Sequence, residues 1–189
     1  MVKLPTGMKV HNVRAVDILS PEHLAALGKV AAEWGMLEHA LNAHGTALLQ
    51  SKVHFGRLTG NPGGRATAEL LKDIVPSYLR EYPELEAKLL TALALVAPVA
   101  TRRADLLHGM WGAILETTGI TEPLRLTPVI STVLKTGGKS WKWIHPTAED
   151  IEKAADDIAS ARLQVNEAFM ILRLPVEMHG PKVKQKLVP

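Results

Sequence analysis

The stretch Arg102-Arg103-Ala104-Asp105-Leu106-Leu107-His108-Gly109-Met110-Trp111 gathers two guanidinium groups and one imidazole within ten residues. On a helix, Arg102 to His108 spans about two turns. A guanidinium stays charged at every physiological pH and grips phosphate through paired N–H groups. An imidazole exchanges its proton near neutrality. Such a pair can hold a phosphate and move a proton. Elsewhere the chain joins no comparable pair to an apolar helical setting.

The same residues admit a structural assignment. Arg103 falls on the apolar stripe of its segment, and Glu38 borders the stripe of the first helical segment, four after Trp34 and one after Leu37. A carboxylate at the edge of a buried face needs a cation. A Glu38–Arg103 ion pair between helices is therefore expected, leaving Arg102 and His108 as the chemical pair. On the purely structural alternative, His108 packs near a helix bend and Gly109 lets a neighbouring helix approach.

Other chemistries fit the chain poorly. Gly138-Lys139-Ser140 looks like the end of a phosphate-binding loop, but Val133 stands where the first glycine is needed, and Trp141-Lys142-Trp143 reads as strand rather than helix. Eight histidines are present, yet His39 and His44 are five apart and the others lack a partner at helical metal-ligand spacing. No metal or other cofactor is expected. Gly-x-Ser-x-Gly and the dinucleotide-binding glycine pattern are absent, and without cysteine there is no thiol nucleophile, disulfide or thiolate metal site.

Four helical segments must position the arginines. The first opens at Ser20 as N-cap with Pro21 at the first helical position, and carries Leu24, Leu27, Val30 or Ala31, Trp34, Leu37, Leu41 and Leu48 before fading near Gln50. Gly56 to Arg65, with Asn61-Pro62-Gly63-Gly64, reads as loop. A second helix is expected from about Ala66 to Arg80, kinked or divided at Pro76. The third runs from Pro83 through Leu89, Leu93, Val96, Arg103 and Leu107 to Ile114, with a bend at Pro98. Thr147 and Asp150, spaced as a capping box, open the last helix, whose stripe Ile151, Ala154, Ile158, Ala161, Val165, Ala168 and Leu172 stops at Leu174-Pro175. Between the third and last helices, Leu124–Val133 and Ser140–Ile144 suggest a small β-hairpin across 124–145, with Pro128 at an edge or bulge.

The architecture that follows is mainly α: an up-and-down bundle of four to five helices with a small hairpin. Residues 1–189 form a single domain, with 1–19 as an N-terminal extension and 175–189 as a basic tail carrying Lys182, Lys184 and Lys186. The 22 Lys and Arg against 19 Asp and Glu permit a nucleic-acid partner without demanding one. No apolar run is long enough to span a bilayer, and the first residues lack a signal-peptide core, so a cytoplasmic protein is expected.

An arginine, four to six residues and then a histidine, late in a long helix of a small bundle, resembles the HEPN (higher eukaryotes and prokaryotes nucleotide-binding) superfamily. Arg102 precedes His108 by five intervening residues and Arg103 by four, so both registers match. His108-Gly109-Met110-Trp111 looks like the His-Gly ending of many such proteins, and Trp34, Leu37, Glu38 and Leu41 look like their preceding helix. The resemblance covers the first, third and last helices, not the hairpin or tail. The chain departs from the pattern after its arginines, where Arg103 and Ala104 replace the usual polar residue. The resemblance implies RNA or nucleotide engagement, and metal-independent RNA cleavage at a composite site where two protomers of a homodimer meet. In it Arg102 clamps phosphate, Arg103 is a second clamp or structural partner, and His108 is the acid–base group. It also implies a toxin-like or defence role with an antitoxin-like protein partner. The alternative is a non-catalytic helical dimer that acts as a protein-interaction or scaffolding module.

Overall fold

A computed structural model describes residues 19–50, 52–108, 110–116, 125–133, 141–144 and 146–178. The molecule is mainly helical. Six helices occur among the described residues: α1 (Pro21–Leu48), α2 (Phe55–Thr59), α3 (Gly64–Leu79), α4 (Pro83–Ala94), α5 (Val96–His108) and α6 (Ala148–Met178). None is long and apolar enough to cross a membrane. Between α5 and α6 the backbone follows three extended segments, β1 (Met110–Glu116), β2 (Arg125–Val133) and β3 (Trp141–Ile144). They pair antiparallel in the order β1-β2-β3, with Trp111 opposite Ile130 and Ile130 opposite Ile144. Of their side chains only Trp111 is described, half-buried against the helical core. The hairpin connector with Gly137 and Gly138, and also Gly109, residues 1–18 of the N-terminal extension and the lysines of the basic tail, lie outside the described residues.

Local chemistry sets the two longest helices. Ser20 caps α1: its hydroxyl accepts from the His23 N–H, and Pro21 gives up a donor that would have no partner there. At α6, the Asp150 N–H donates to Thr147 Oγ1 at 3.1 Å, and the Thr147 N–H donates to Asp150 Oδ2 at 2.9 Å. This is a reciprocal capping box built with Asp in place of Glu. Thr147 hydrogen bonds, from the backbone first and then the hydroxyl, hold the Asp150 carboxyl below its ordinary range. Such a group stabilises the fold fully above the unfolded aspartate range and loses that contribution as pH falls through the lowered value. Thr147→Ala is expected to cost about 1 kcal/mol at neutral pH. Urea unfolding should show the gap between wild type and variant narrowing below about pH 4, because the hydroxyl's bond to the carboxylate is lost on protonation while its bond from the Asp150 N–H is not; a gap that is wholly independent of pH would contradict the carboxylate half of the cap.

The core lies where α1 and α6 pack side by side. Lys29 pairs with Glu152, Glu33 with Arg162, and His44 with Asn166, so positions rise together along both helices and the two run parallel. Val30, Leu37 and Leu41 of α1 are fully buried, as are Ile151, Ile158 and Val165 of α6. Leu71 and Val75 of α3, Leu89 and Leu93 of α4, and Val96 of α5 close the other sides.

Several boundaries differ from the sequence expectation, each for a physical reason. The segment from Pro83 breaks at Leu95, one turn before Pro98. Proline lacks an N–H and its ring clashes with the carbonyl four residues back, here Ala94, so the break falls upstream of the proline. The helix then stops at His108 rather than Ile114, because Met110–Glu116 joins the sheet. Pro76 does not divide α3. Inside the stretch read as loop, Phe55–Thr59 forms a short helix, anchored by the Phe55 N–H donating to Thr46 Oγ1 at 2.8 Å and closed by left-handed Gly60. The backbone of α6 continues through Pro175 to Met178 instead of ending at Leu174.

Candidate functional site

Arg102 and Arg103 are neighbours on α5, so their side chains leave the helix about 100° apart. Arg102 turns toward α6. Its Nη1 donates to Asp157 Oδ2 at 2.9 Å and its Nη2 to the Asp150 carbonyl oxygen at 2.8 Å. It therefore straps α5 to the first turns of α6. Both partners are well exposed, so the ion pair contributes at most about 1 kcal/mol.

Arg103 turns toward α1. Its Cζ lies 5.5 Å from the centre of the Trp34 ring, a cation–π distance, and Trp34 is buried. Its Nη1 lies 2.8 Å from Nε2 of His108 at the end of the same helix. Arginine has no acceptor, so in this contact Nε2 accepts and the imidazole carries its proton on Nδ1. Arg103 Nε is buried without a hydrogen-bond partner.

The expected Glu38–Arg103 ion pair does not form. Glu38 Oε1 instead accepts the Gly64 N–H at 2.7 Å, where α3 begins. That N–H has no intrahelical partner, and the helix dipole favours a carboxylate there. Gly63 precedes it with φ of 80°, and the turn has no side-chain cap of its own, so Glu38 supplies one from 26 residues earlier. This is why α3 starts at Gly64, two residues before the expected position.

The division of labour between the arginines is thus the reverse of the expectation. Arg102 is the strap between helices, and Arg103 stands with His108. Among the described residues no carboxylate lies within ion-pair distance of Arg103. The site is a half-buried cation with its charge unmatched, backed by an indole and holding the lone pair of an exposed imidazole. Beyond the end of α5, the Trp111 indole N–H donates to the Leu106 carbonyl at 3.0 Å.

Sequence reasoning missed Trp34 as the platform for Arg103. Trp34 was legible only as a stripe residue. The one further signal was its spacing of four from Glu38. His44 is a core histidine: Nε2 meets Asn166 Oδ1 at 2.8 Å and the ring stacks on Phe169 at 4.2 Å. Among the described residues, no three His, Asp or Glu side chains gather as a metal site would require. Comparison of the chain with protein-family models, with curated proteins and with solved structures finds no match.

Proposed function

We propose that this protein engages RNA or a nucleotide through Arg103 and His108. The observation that carries the reading is the charge-unmatched Arg103, poised on Trp34 and 2.8 Å from His108. An incoming phosphate oxygen replaces His108 Nε2 as the acceptor for Nη1. The guanidinium then gains the anionic partner it lacks among the described residues. The released imidazole is free to take or give a proton beside the bound phosphate. Trp34 holds the guanidinium plane, so little side-chain freedom is lost on binding.

Cleavage is the finer form of this proposal and rests on the HEPN resemblance. One group removes the proton from the ribose 2′-hydroxyl, whose oxygen attacks phosphorus. The bond to the 5′-oxygen breaks, and a second group protonates that leaving oxygen. His108 can fill one role. The second imidazole would come from a second copy of the chain across a two-fold axis.

The test uses a labelled single-stranded RNA of mixed sequence in EDTA. Arg103→Ala is expected to weaken binding by about 10-fold or more, given roughly 1.5–3 kcal/mol for a charged hydrogen bond. Arg102→Ala, which removes only the strap to α6, is expected to leave binding within about twofold, its ion pair contributing little to stability. Equal affinity of wild type and Arg103→Ala, or no binding by wild type, would sink the reading. Cleavage that survives His108→Ala would remove the catalytic part and leave the binding site.

A further inference from the structure

Arg103 has an unusual acceptor. A half-buried cation is ordinarily matched by a carboxylate, which keeps its lone pairs at any physiological pH. Arg103 Nη1 instead meets Nε2 of His108 at 2.8 Å. An imidazole nitrogen accepts only while it is unprotonated, and a guanidinium can do nothing but donate. One proton on Nε2 therefore turns this hydrogen bond into a meeting of two cations. His108 is the last residue of α5, so a released ring lies beside the carbonyl end of a helix, which receives a cation favourably.

We infer that the Arg103–His108 contact is an autoinhibitory latch: His108 competes with phosphate for Arg103, and engagement of a phosphate oxygen takes up one proton at His108 Nε2. The inference rests on the proposed phosphate engagement at Arg103 and adds its regulation. While the latch is closed, an incoming oxygen must displace Nε2 from Nη1. With a proton on Nε2 the latch is open before the phosphate arrives, and the anion meets two cations rather than one. Anion and proton thus bind together. The complex holds one more proton than the free protein, so affinity rises as pH falls. The limit is about tenfold per pH unit, where free Nε2 is bare and bound Nε2 is protonated.

The charges around α5 leave this pairing to Arg103. On α5 itself Asp105 stands three residues before His108, and Arg102 is engaged with Asp157 and the Asp150 carbonyl of α6. Toward α1, Glu38 is held by the Gly64 N–H. On α3, Lys72 pairs with Glu69, while Arg65 and Asp73 join no ion pair among the described residues; on α4, Lys88 pairs with Glu167. Glu116 of β1 and Arg125 of β2 sit opposite each other, at the far end of that strand pair from Met110. Among the described residues, no carboxylate lies within ion-pair distance of His108.

Two readouts separate the latch from the RNA reading. In free wild type at about pH 8, above the imidazole range, nitrogen-15 NMR of labelled histidine is expected to find His108 in the Nδ1–H form, which free histidine disfavours. Arg103→Ala is expected to return it to the Nε2–H form. A wild-type His108 in the Nε2–H form overturns the latch, whatever the RNA result. Affinity for the labelled single-stranded RNA is then measured in EDTA at constant ionic strength from about pH 8 to about pH 6. His108→Ala keeps seven of the eight histidines and supplies the background slope. Across this range wild type is expected to gain at least about fivefold more affinity than the variant. At the alkaline end the variant is expected to bind about threefold tighter or more, because its competitor is gone. Parallel slopes, or weaker alkaline binding by His108→Ala, overturn the latch and leave the RNA reading in place. If RNA binds at no pH, that reading fails, and sulfate, which stays dianionic throughout, becomes the probe. Near neutral pH sulfate should convert His108 to the imidazolium in wild type and not in Arg103→Ala. Failure of that conversion overturns the latch as well.

Discussion

Trp34→Ala is expected to lower stability by about 3–5 kcal/mol, the range for emptying a buried aromatic site. A domain of this size holds roughly 5–15 kcal/mol in all, so the variant sits near the edge of folding. Two features place it at the high end. The indole is 6 % exposed within the core, and a Cβ on Gly64 would come within 2.8 Å of its Cζ2, so the ring is packed directly on the α3 backbone. Urea unfolding followed by helical circular dichroism measures the loss. Trp34→Phe separates the two duties of the ring, keeping much of the apolar volume while giving Arg103 a smaller platform. It is expected to keep most of the stability and, if the proposed RNA binding holds, to lose part of that affinity. If Trp34→Ala shifted the unfolding midpoint no more than a surface substitution does, the packing of α1 on α3 described above would be wrong.

Gly45→Ala carries the second large effect, and its sign is unusual. Alanine is the better helix former by roughly 0.5–1 kcal/mol, and within α1 the exchange should help. At Gly45 the added Cβ would lie 2.6 Å from Phe55 Cγ and 2.7 Å from its Cδ1. Phe55 cannot withdraw easily, being 2 % exposed and tied through its backbone N–H to Thr46. Overpacking of this kind costs about 1–3 kcal/mol and outweighs the helix gain. Gly28→Ala is the control, and in the isolated chain it should stabilise by roughly 0.5–1 kcal/mol. Thermal unfolding of the two variants should therefore move in opposite directions; movement in the same direction would rule out the contact between α1 and α2.

What the sequence revealed depended on whether the deciding partner was local. The starts of α1 and α6 were readable because Ser20 with Pro21, and Thr147 with Asp150, act within one turn. The start of α3 was not, because its cap is Glu38 on another helix. The core stripes were readable from period alone, and Val30, Leu37, Ile151, Ile158 and Val165 are all buried. The end of α5 was not. Met110 to Leu115 is apolar enough to continue a helix or to alternate as a strand, and pairing with Arg125–Val133 decides it. At the site, Arg103 and His108 could be singled out by type and spacing. The roles of the two arginines could not, since they turn on Asp157 lying within reach of Arg102 and on Glu38 being taken by Gly64.

The parallel pairing of α1 with α6 also shapes how the chain folds. The contacts Lys29–Glu152, Glu33–Arg162 and His44–Asn166 join residues 122 to 129 positions apart. During synthesis α1 emerges first and its principal cover last. Closing so long a loop before any contact rewards it slows folding. Until α6 leaves the ribosome, Val30, Leu37 and Leu41 lack their final neighbours, although the Glu38 cap already draws α3 onto α1. Truncation inside α6 thus leaves a sticky, half-covered helix rather than a smaller stable protein. Among the described elements, the principal cover of α1 is made long after α1 itself, so docking of α6 is expected to be a late and slow step of folding.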